Sequence, residues 1–489
     1  MNSYLSKILN NKILFYVFSR YFSYFIQFLN SIIIAYKLGP YYLGIWGFLL
    51  LMMQYMNYFN FGIDYALNVI LSSGDVKDKE RQSAIASNAL IATIATSLIF
   101  IILGSILAYT EVNFFEKYNF SNYIFLIISI SCLNIFNLLF VNLFRTFSVF
   151  MPISVFQLLI QLVQLPLIFF LDKSELIKSL LIALLLAHTL SAIFFILKFP
   201  VKLSLRIQFD LLLDLYKRGI ILLFYNISFY LLLLSTRTMV SYFYTVETMG
   251  LFTFSSNIAS ALILSIGSIE FVIFPKMLNR LGPSIDNESA KIFIQEIRKV
   301  YIGSVYLVIL LGLLLYPILL LFFERYNGTI AFFSYLGLTQ IIIASGFGYS
   351  TLIISRGKEI FMAIHASIAI LINLFLLFIG IRFFGLDYSY SSLFLLISFL
   401  YYEFQVIRKA RHILNMEKTI LSVAKDIFPL KLLIPFTLII IGTVTEYFYC
   451  FYALSVIAFS ILNFDTFKLL IRYTSTIINR PSVINIQHD

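Results

Sequence analysis

An all-α integral membrane fold with about 14 transmembrane helices, and 12 as the fallback count, follows from three features of this sequence. Apolar residues make up 61% of the 489 and charged residues 12%, with a mean hydropathy of +0.93. That is more apolar surface than one water-soluble core takes up, so the solvent is a bilayer. The apolar residues also fall in windows of about 20, the length a helix needs to cross hydrocarbon, separated by charged or Gly/Pro-rich breaks. Finally, Lys and Arg concentrate in alternate breaks, as the positive-inside rule requires.

In order, the windows are residues 13 to 36 and 42 to 61, joined by the tight turn Leu38-Gly39-Pro40, then 84 to 108 after the basic break Lys77, Lys79 and Arg81. Residues 121 to 144, 148 to 171 and 176 to 197 follow, separated by Arg145 and by Asp172-Lys173. Beyond a basic stretch come 219 to 243, 250 to 274, 300 to 323, 329 to 353, 360 to 384 and 387 to 407. Windows 427 to 447 and 448 to 467 form a last hairpin with almost no polar residues between them. The longest breaks, 198 to 218, 275 to 299 and 408 to 426, carry Leu211, Leu212 and Leu215 or Ile292, Ile294 and Ile297 at helical spacing, which predicts short interfacial helices. No break is long enough for a folded extramembrane domain.

With the amino terminus inside, 27 of the 35 Lys and Arg lie on inner segments, six lie on outer ones, and Arg20 and Arg237 lie within windows. Both termini are therefore expected on the cytoplasmic side. The net charge of +11 is explained by short inner loops that set topology and meet anionic headgroups, not by nucleic-acid binding. The first window is too long for a signal core and lacks an A-x-A-like site, so it reads as a retained helix. Cys132 and Cys450 fall at different depths, and no CxxC or Cys/His spacing exists, so neither metal nor any other cofactor is expected. Walker A, HExxH and GxSxG elements are absent, which argues for a transporter over an enzyme.

A shift of 206 residues lays Leu43 to Phe48, LGIWGF, on Met249 to Phe254, MGLFTF. It also lays Asp64 on Glu270, Tyr36 on Tyr242 and Tyr24 on Tyr230. Both copies begin inside, so this is a parallel repeat of two six-helix bundles about a pseudo-twofold along the membrane normal. The expected organisation is an N-terminal bundle (1 to 198), a cytoplasmic linker (199 to 218), a C-terminal bundle (219 to 409), and an extra helical hairpin with a cytoplasmic tail (410 to 489).

The order Lys37-Leu38-Gly39-Pro40, Leu43-Gly44-Ile45-Trp46-Gly47-Phe48 and Phe61-Gly62-Ile63-Asp64-Tyr65-Ala66-Leu67 resembles the first hairpin of the Wzx-type polysaccharide flippases. These exporters of O-antigen or capsule repeat units belong to the multidrug/oligosaccharidyl-lipid/polysaccharide exporter superfamily. Leu233 to Ala261 and Phe274-Pro275 are similar to their seventh and eighth helices, although many members have aspartate near the position of Thr236. The resemblance implies a V of two bundles in the bacterial inner membrane. Its substrate would be an oligosaccharide on undecaprenyl pyrophosphate, carried from the cytoplasmic to the periplasmic leaflet for lipopolysaccharide or capsule synthesis. Membrane lipids and the polymerase and chain-length proteins of the same pathway would be partners, and an ion gradient would drive alternating access.

Such cargo needs a polar, cationic path. On the first helix Arg20, Tyr24, Gln27 and Ser31 share one face, and on the seventh Asn226, Tyr230, Arg237 and Ser241 do the same. Arg20 lies roughly 10 Å from the inner end of its helix and Arg237 roughly 27 Å along its own, so a pyrophosphate could pass from one guanidinium to the other. These eight residues are the expected substrate-binding set, with Tyr24 and Tyr230 as sugar-stacking groups. Asp64, Glu270, His188 and His365 are weaker ion-coupling candidates, since the carboxylates sit near inner helix ends and a histidine is more often an interhelical hydrogen-bond partner. An O-antigen polymerase or ligase would show a large periplasmic loop, and a multidrug/cation antiporter would favour carboxylates over arginines in its cavity. Both remain rivals.

Overall fold

The computed structural model describes residues 12–72, 78–108, 113–147, 149–201, 207–282, 285–445, 447–465 and 468. Helices account for all the regular structure among them. α1 (Lys12–Tyr58) contains the first two windows and breaks at Gly39, whose φ of 70° and ψ of 175° are followed by Pro40. Glycine takes that conformation without strain, and proline fits the first turn of the helix that resumes. α2 (Ile63–Ser72) extends the second span beyond a turn in which Phe61 and Gly62 both have positive φ. α3 (Lys79–Ala108), the short α4 (Asn113–Glu116), α5 (Ile124–Thr146), α6 (Phe150–Leu162), α7 (Gln164–Phe170) and α8 (Lys173–Leu197) complete the first six spans, α6 and α7 together making one of them.

α9 (Phe209–Phe243) and α10 (Val246–Arg280) come next, then α11 (Asn287–Phe322). The apolar residues of breaks 198 to 218 and 275 to 299 thus continue α9 and α11 instead of forming separate helices, because no breaker interrupts them. α12 (Ile330–Ser345) and α13 (Tyr349–Ser355) share a window and are parted by a turn containing Gly348 at φ +84°. α14 (Glu359–Phe384) and α15 (Tyr390–Ile413) follow. α16 (Ile420–Ile427) is the expected short helix of the third long break, capped by the Thr419 side chain and bent by 71° from α17 (Leu430–Val444). α18 (Phe448–Leu462) closes the last hairpin. Among the described residues, every window falls mainly on helix. Nine described helices are long and apolar enough to cross a membrane, or ten with the bent pair.

The chain forms two compact units, Met1–Tyr230 with Tyr244–Phe254 and Leu231–Phe243 with Ser255–Asp489. In the first, Ile63, Ala66, Leu67, Ile85, Ala89, Leu139, Leu143 and Leu215 form one buried cluster. Tyr16, Phe140, Phe144, Ile153, Phe156 and Phe195 form a second. In the second unit Tyr316 stacks on Phe333 at 3.8 Å, and the last hairpin is tied in by Tyr452 OH to Ser334 Oγ at 2.5 Å and by Tyr306 OH donating to the Leu432 carbonyl at 3.3 Å. Lipid gives helices little hydrophobic reason to associate, so close packing and these interhelical hydrogen bonds hold the bundle.

Candidate functional site

α1 carries two polar lines. Ser19, Ser23 and Asn30 are buried, and Asn30 Nδ2 donates to the Gln161 carbonyl of α6 at 2.9 Å, so this line is the packing face. The other line holds the residues singled out from sequence. Arg20 is half-buried, and its Nε donates to Tyr24 OH at 2.5 Å with the guanidinium 5.5 Å from the centre of the same ring. Gln27 is exposed and Ser31 half-buried, its Oγ donating to the Gln27 carbonyl at 2.9 Å. A half-exposed face of a spanning helix therefore presents a guanidinium steadied by a phenol, then an amide and a hydroxyl.

The first unit also holds a polar ladder that the sequence did not announce. Asn134 Nδ2 of α5 donates to Asn57 Oδ1 at 2.8 Å. Two turns on, Asp64 of α2 accepts from Asn60 Nδ2 at 2.7 Å on Oδ1 and from Asn142 Nδ2 at 3.0 Å on Oδ2. A further turn on, Thr146 Oγ1 donates to Asn68 Oδ1 at 3.1 Å. Arg145 adds an attractive charge beside Asp64. Asp64 stands in the first turn of α2, the helix-terminal place expected of it, but is 5% exposed and packed among these amides instead of solvated. Asparagines at 57, 60 and 68 facing 134 and 142 in otherwise apolar helices were the available signal.

His188 is buried, with Asn137 Nδ2 3.1 Å from its Nδ1 and 3.0 Å from its carbonyl, and Phe156 edge-on to the ring at 5.7 Å. In the second unit His365 Nδ1 lies 3.0 Å from Tyr401 OH. Both histidines are thus joined to a neighbouring helix. The side chains of Asn226 and Glu270 lie outside the described residues.

The line on α9 divides. Tyr230 belongs to the first unit, 57% exposed and within electrostatic reach of Tyr58 and Tyr65. Arg237 and Ser241 belong to the second unit and are buried, Ser241 Oγ donating to the Thr238 carbonyl at 2.8 Å. Beside Arg237, Thr236 Oγ1 accepts from Asn373 Nδ2 of α14 at 2.7 Å. The hydroxyl at 236 is thus part of an uncharged interhelical contact.

One carboxylate outside the expected set stands out. Glu403 of α15 is 3% exposed and packs against Gly346, where a Cβ would lie 1.8 Å from its Oε2. It is close to a cluster of Arg298, Asp426, Arg411 and Tyr349 joined by hydrogen bonds and ion pairs.

No family model and no curated protein matches the sequence. Among solved structures, the inward closed conformation of the lipid II flippase MurJ matches with a TM-score of 0.70 at 14% identity, covering 96% of this chain and 100% of that one. An inward-facing multidrug resistance MATE family transporter of the MOP superfamily matches with a TM-score of 0.69 at 13% identity over 82% and 96%. A MOP superfamily transporter from Pyrococcus furiosus, described as having a binding pocket of reverse polarity, matches at 0.55 and 13% over 82% and 95%. The chain has the fold of the MOP superfamily transporters.

Proposed function

We propose that this protein is a flippase that carries an oligosaccharide linked to undecaprenyl pyrophosphate from the cytoplasmic to the periplasmic leaflet of a bacterial inner membrane, for O-antigen or capsule synthesis. The observation that carries the reading is the Arg20 face of α1, a half-buried guanidinium bonded to Tyr24 with Gln27 and Ser31 beyond it. A diphosphate and a string of hydroxyls must cross about 30 Å of hydrocarbon while the polyprenyl tail stays in lipid. An arginine at the bilayer centre costs about 2.5–3.5 kcal/mol. Its planar fork repays that cost when it makes paired hydrogen bonds to phosphate oxygens. Arg237 on α9 would offer a second such fork. That one neighbour in fold is named a lipid II flippase supports a lipid-linked cargo for this architecture.

Deleting the gene in its native host tests the reading. The expected result is loss of surface polysaccharide and accumulation of single lipid-linked units on the cytoplasmic side, rescued by the wild type but not by Arg20→Ala or Arg237→Ala. Units that reach the periplasm unpolymerised would identify a polymerase. Unchanged surface polysaccharide would bring drug or cation export to the front.

A further inference from the structure

We propose that Glu403 is a proton-binding site of the second unit, seated in the break between α12 and α13 and coupled through Arg298 to the clasp that fastens α16. This goes beyond the substrate reading and stands independently of which cargo is moved.

The carboxyl is fitted to the break. Gly346 is the first residue after α12, and a Cβ there would lie 1.8 Å from Glu403 Oε2, 2.7 Å from Cδ and 3.2 Å from Oε1, so a side chain at 346 would displace the carboxyl. Oε2 is buried and accepts no hydrogen bond. An ionised carboxylate held out of water with an oxygen that accepts nothing carries a heavy solvation penalty, which a bound proton removes.

The nearby cation offsets this only in part, because it directs its Nε and Nη2 elsewhere. Arg298 of α11 gives Nε and Nη2 to the Ser345 carbonyl at 3.2 and 2.8 Å. Its Nη2 also reaches the Asp426 carbonyl of α16 at 2.9 Å, and its guanidinium lies over the Tyr349 ring, 4.3 Å from the centre. Asp426 is held in turn by Arg411 Nη1 at 2.6 Å and Tyr349 OH at 2.9 Å. Among the described residues Arg298 is the charge that acts on Glu403. The other ionisable groups on elements packed against α15 are Tyr349 and Asp426, which belong to the clasp, His365 on α14, which is engaged by Tyr401, and Tyr335, Glu359, Arg382 and Lys425.

The arrangement therefore has two states. With the proton on, Glu403 is neutral and Arg298 stays on Ser345 and Asp426. When the O–H bond breaks and the proton passes to water, the carboxylate becomes the stronger acceptor beside Arg298. The guanidinium then turns toward it, leaving Ser345 and Asp426, and Asp426 keeps its ties to Arg411 and Tyr349. Proton release at Glu403 is thereby linked to loosening of α16 and of the bend into α17.

The test uses the full chain in lipid nanodiscs, with protonated-carboxyl infrared bands and amide exchange of residues 420–427, referenced to intrinsic rates, followed against pH. The wild type should show at neutral pH a carboxylic-acid band that is missing in both Glu403→Gln and Glu403→Met, so that one failing to fold leaves the other to decide. As pH rises and that band disappears, exchange at 420–427 should quicken about tenfold or more in the wild type, the effect of one lost charge-assisted hydrogen bond, and stay flat in the variants. Superimposable carboxyl spectra for wild type and variants would overturn the proton site. A band that titrates while α16 exchange does not respond would overturn the coupling. Failure of the flippase reading would leave both readouts unaffected.

Discussion

Gly44 and Gly250, which the 206-residue shift superposes, meet each other in the folded chain. A Cβ on Gly44 would lie 1.9 Å from the Val246 carbonyl oxygen, and one on Gly250 would lie 1.9 Å from the Pro40 carbonyl oxygen and 3.0 Å from the Gly44 nitrogen. Pro40 and Val246 are themselves a pair under the same shift, so residue i touches the counterpart of j and j touches the counterpart of i. That reciprocity is what a local twofold produces. Backbone rather than flexible side chain occupies the space, so Gly44→Ala or Gly250→Ala must push α10 off the α1 turn. Each substitution should cost about 1–3 kcal/mol, the usual penalty of overpacking. Thermal melting in detergent checks this against Gly328→Ala, where a Cβ meets nothing within 4 Å and little change is expected.

Most of the helical frame was legible because its causes are local. Apolar windows of spanning length mark every span, and Gly39-Pro40 marks the first hairpin since glycine and proline act on their own backbone. The candidate sites were legible only where their chemistry lies on one helix, as with Arg20 and Tyr24 four residues apart. Asp64 reads as a helix-end group because the window 42 to 61 stops just before it; the chain turns there through two positive-φ residues and resumes as α2 with Asp64 in its first turn, buried by partners that the window does not show. Its partner Asn142 is 78 residues away, and Glu403 lies 57 residues from the Gly346 that cradles it. Contacts at such separations are set by tertiary packing, which no periodicity encodes.

The Asp64 carboxylate accepts a hydrogen bond on each oxygen, and both donors are asparagine amides. Asp64→Asn would turn an amide NH2 toward one of those donors and discard the attraction to Arg145. The expected loss is about 1.5–3 kcal/mol, the range for hydrogen bonds to a charged group. A double-mutant cycle with Asn142→Ala should return a coupling of about 0.5–3 kcal/mol, as for contacting residues. Additive losses in the melting curves would show that the rung contributes nothing.

Asp286 caps α11, its Oδ2 accepting from the Ser289 backbone N–H at 2.9 Å. Hydrogen bonds from that N–H and from the Ser289 hydroxyl hold the carboxyl below the usual carboxylate range. A depressed folded-state value means the cap is fully present above the unfolded value of about 3.9. It is lost as pH falls from there through the lower folded value. Amide protection at residues 287 to 290 should therefore decline only in that acid window. Asp286→Asn, which still caps but does not titrate there, should be flat across it.

Arg20→Lys separates charge from geometry at the proposed cargo face. Lysine keeps the positive charge and much of the length, so insertion into the membrane and the overall fold should be unchanged. It presents a rotating point charge in place of a planar fork, and it gives up both the guanidinium–ring contact and the fixed Nε donor that now engages Tyr24 OH. If Arg20 grips a diphosphate, losing one of two charge-assisted hydrogen bonds should remove about 1.5–3 kcal/mol of binding, at least a tenfold fall in translocation at limiting substrate. Tyr24→Phe should produce a smaller fall, because it frees the fork without shortening it. Accumulation of cytoplasmic lipid-linked units in complemented cells measures both. If Lys serves as well as Arg while Ala does not, the face supplies electrostatic attraction alone; if Ala also serves, the cargo does not travel along this side of α1.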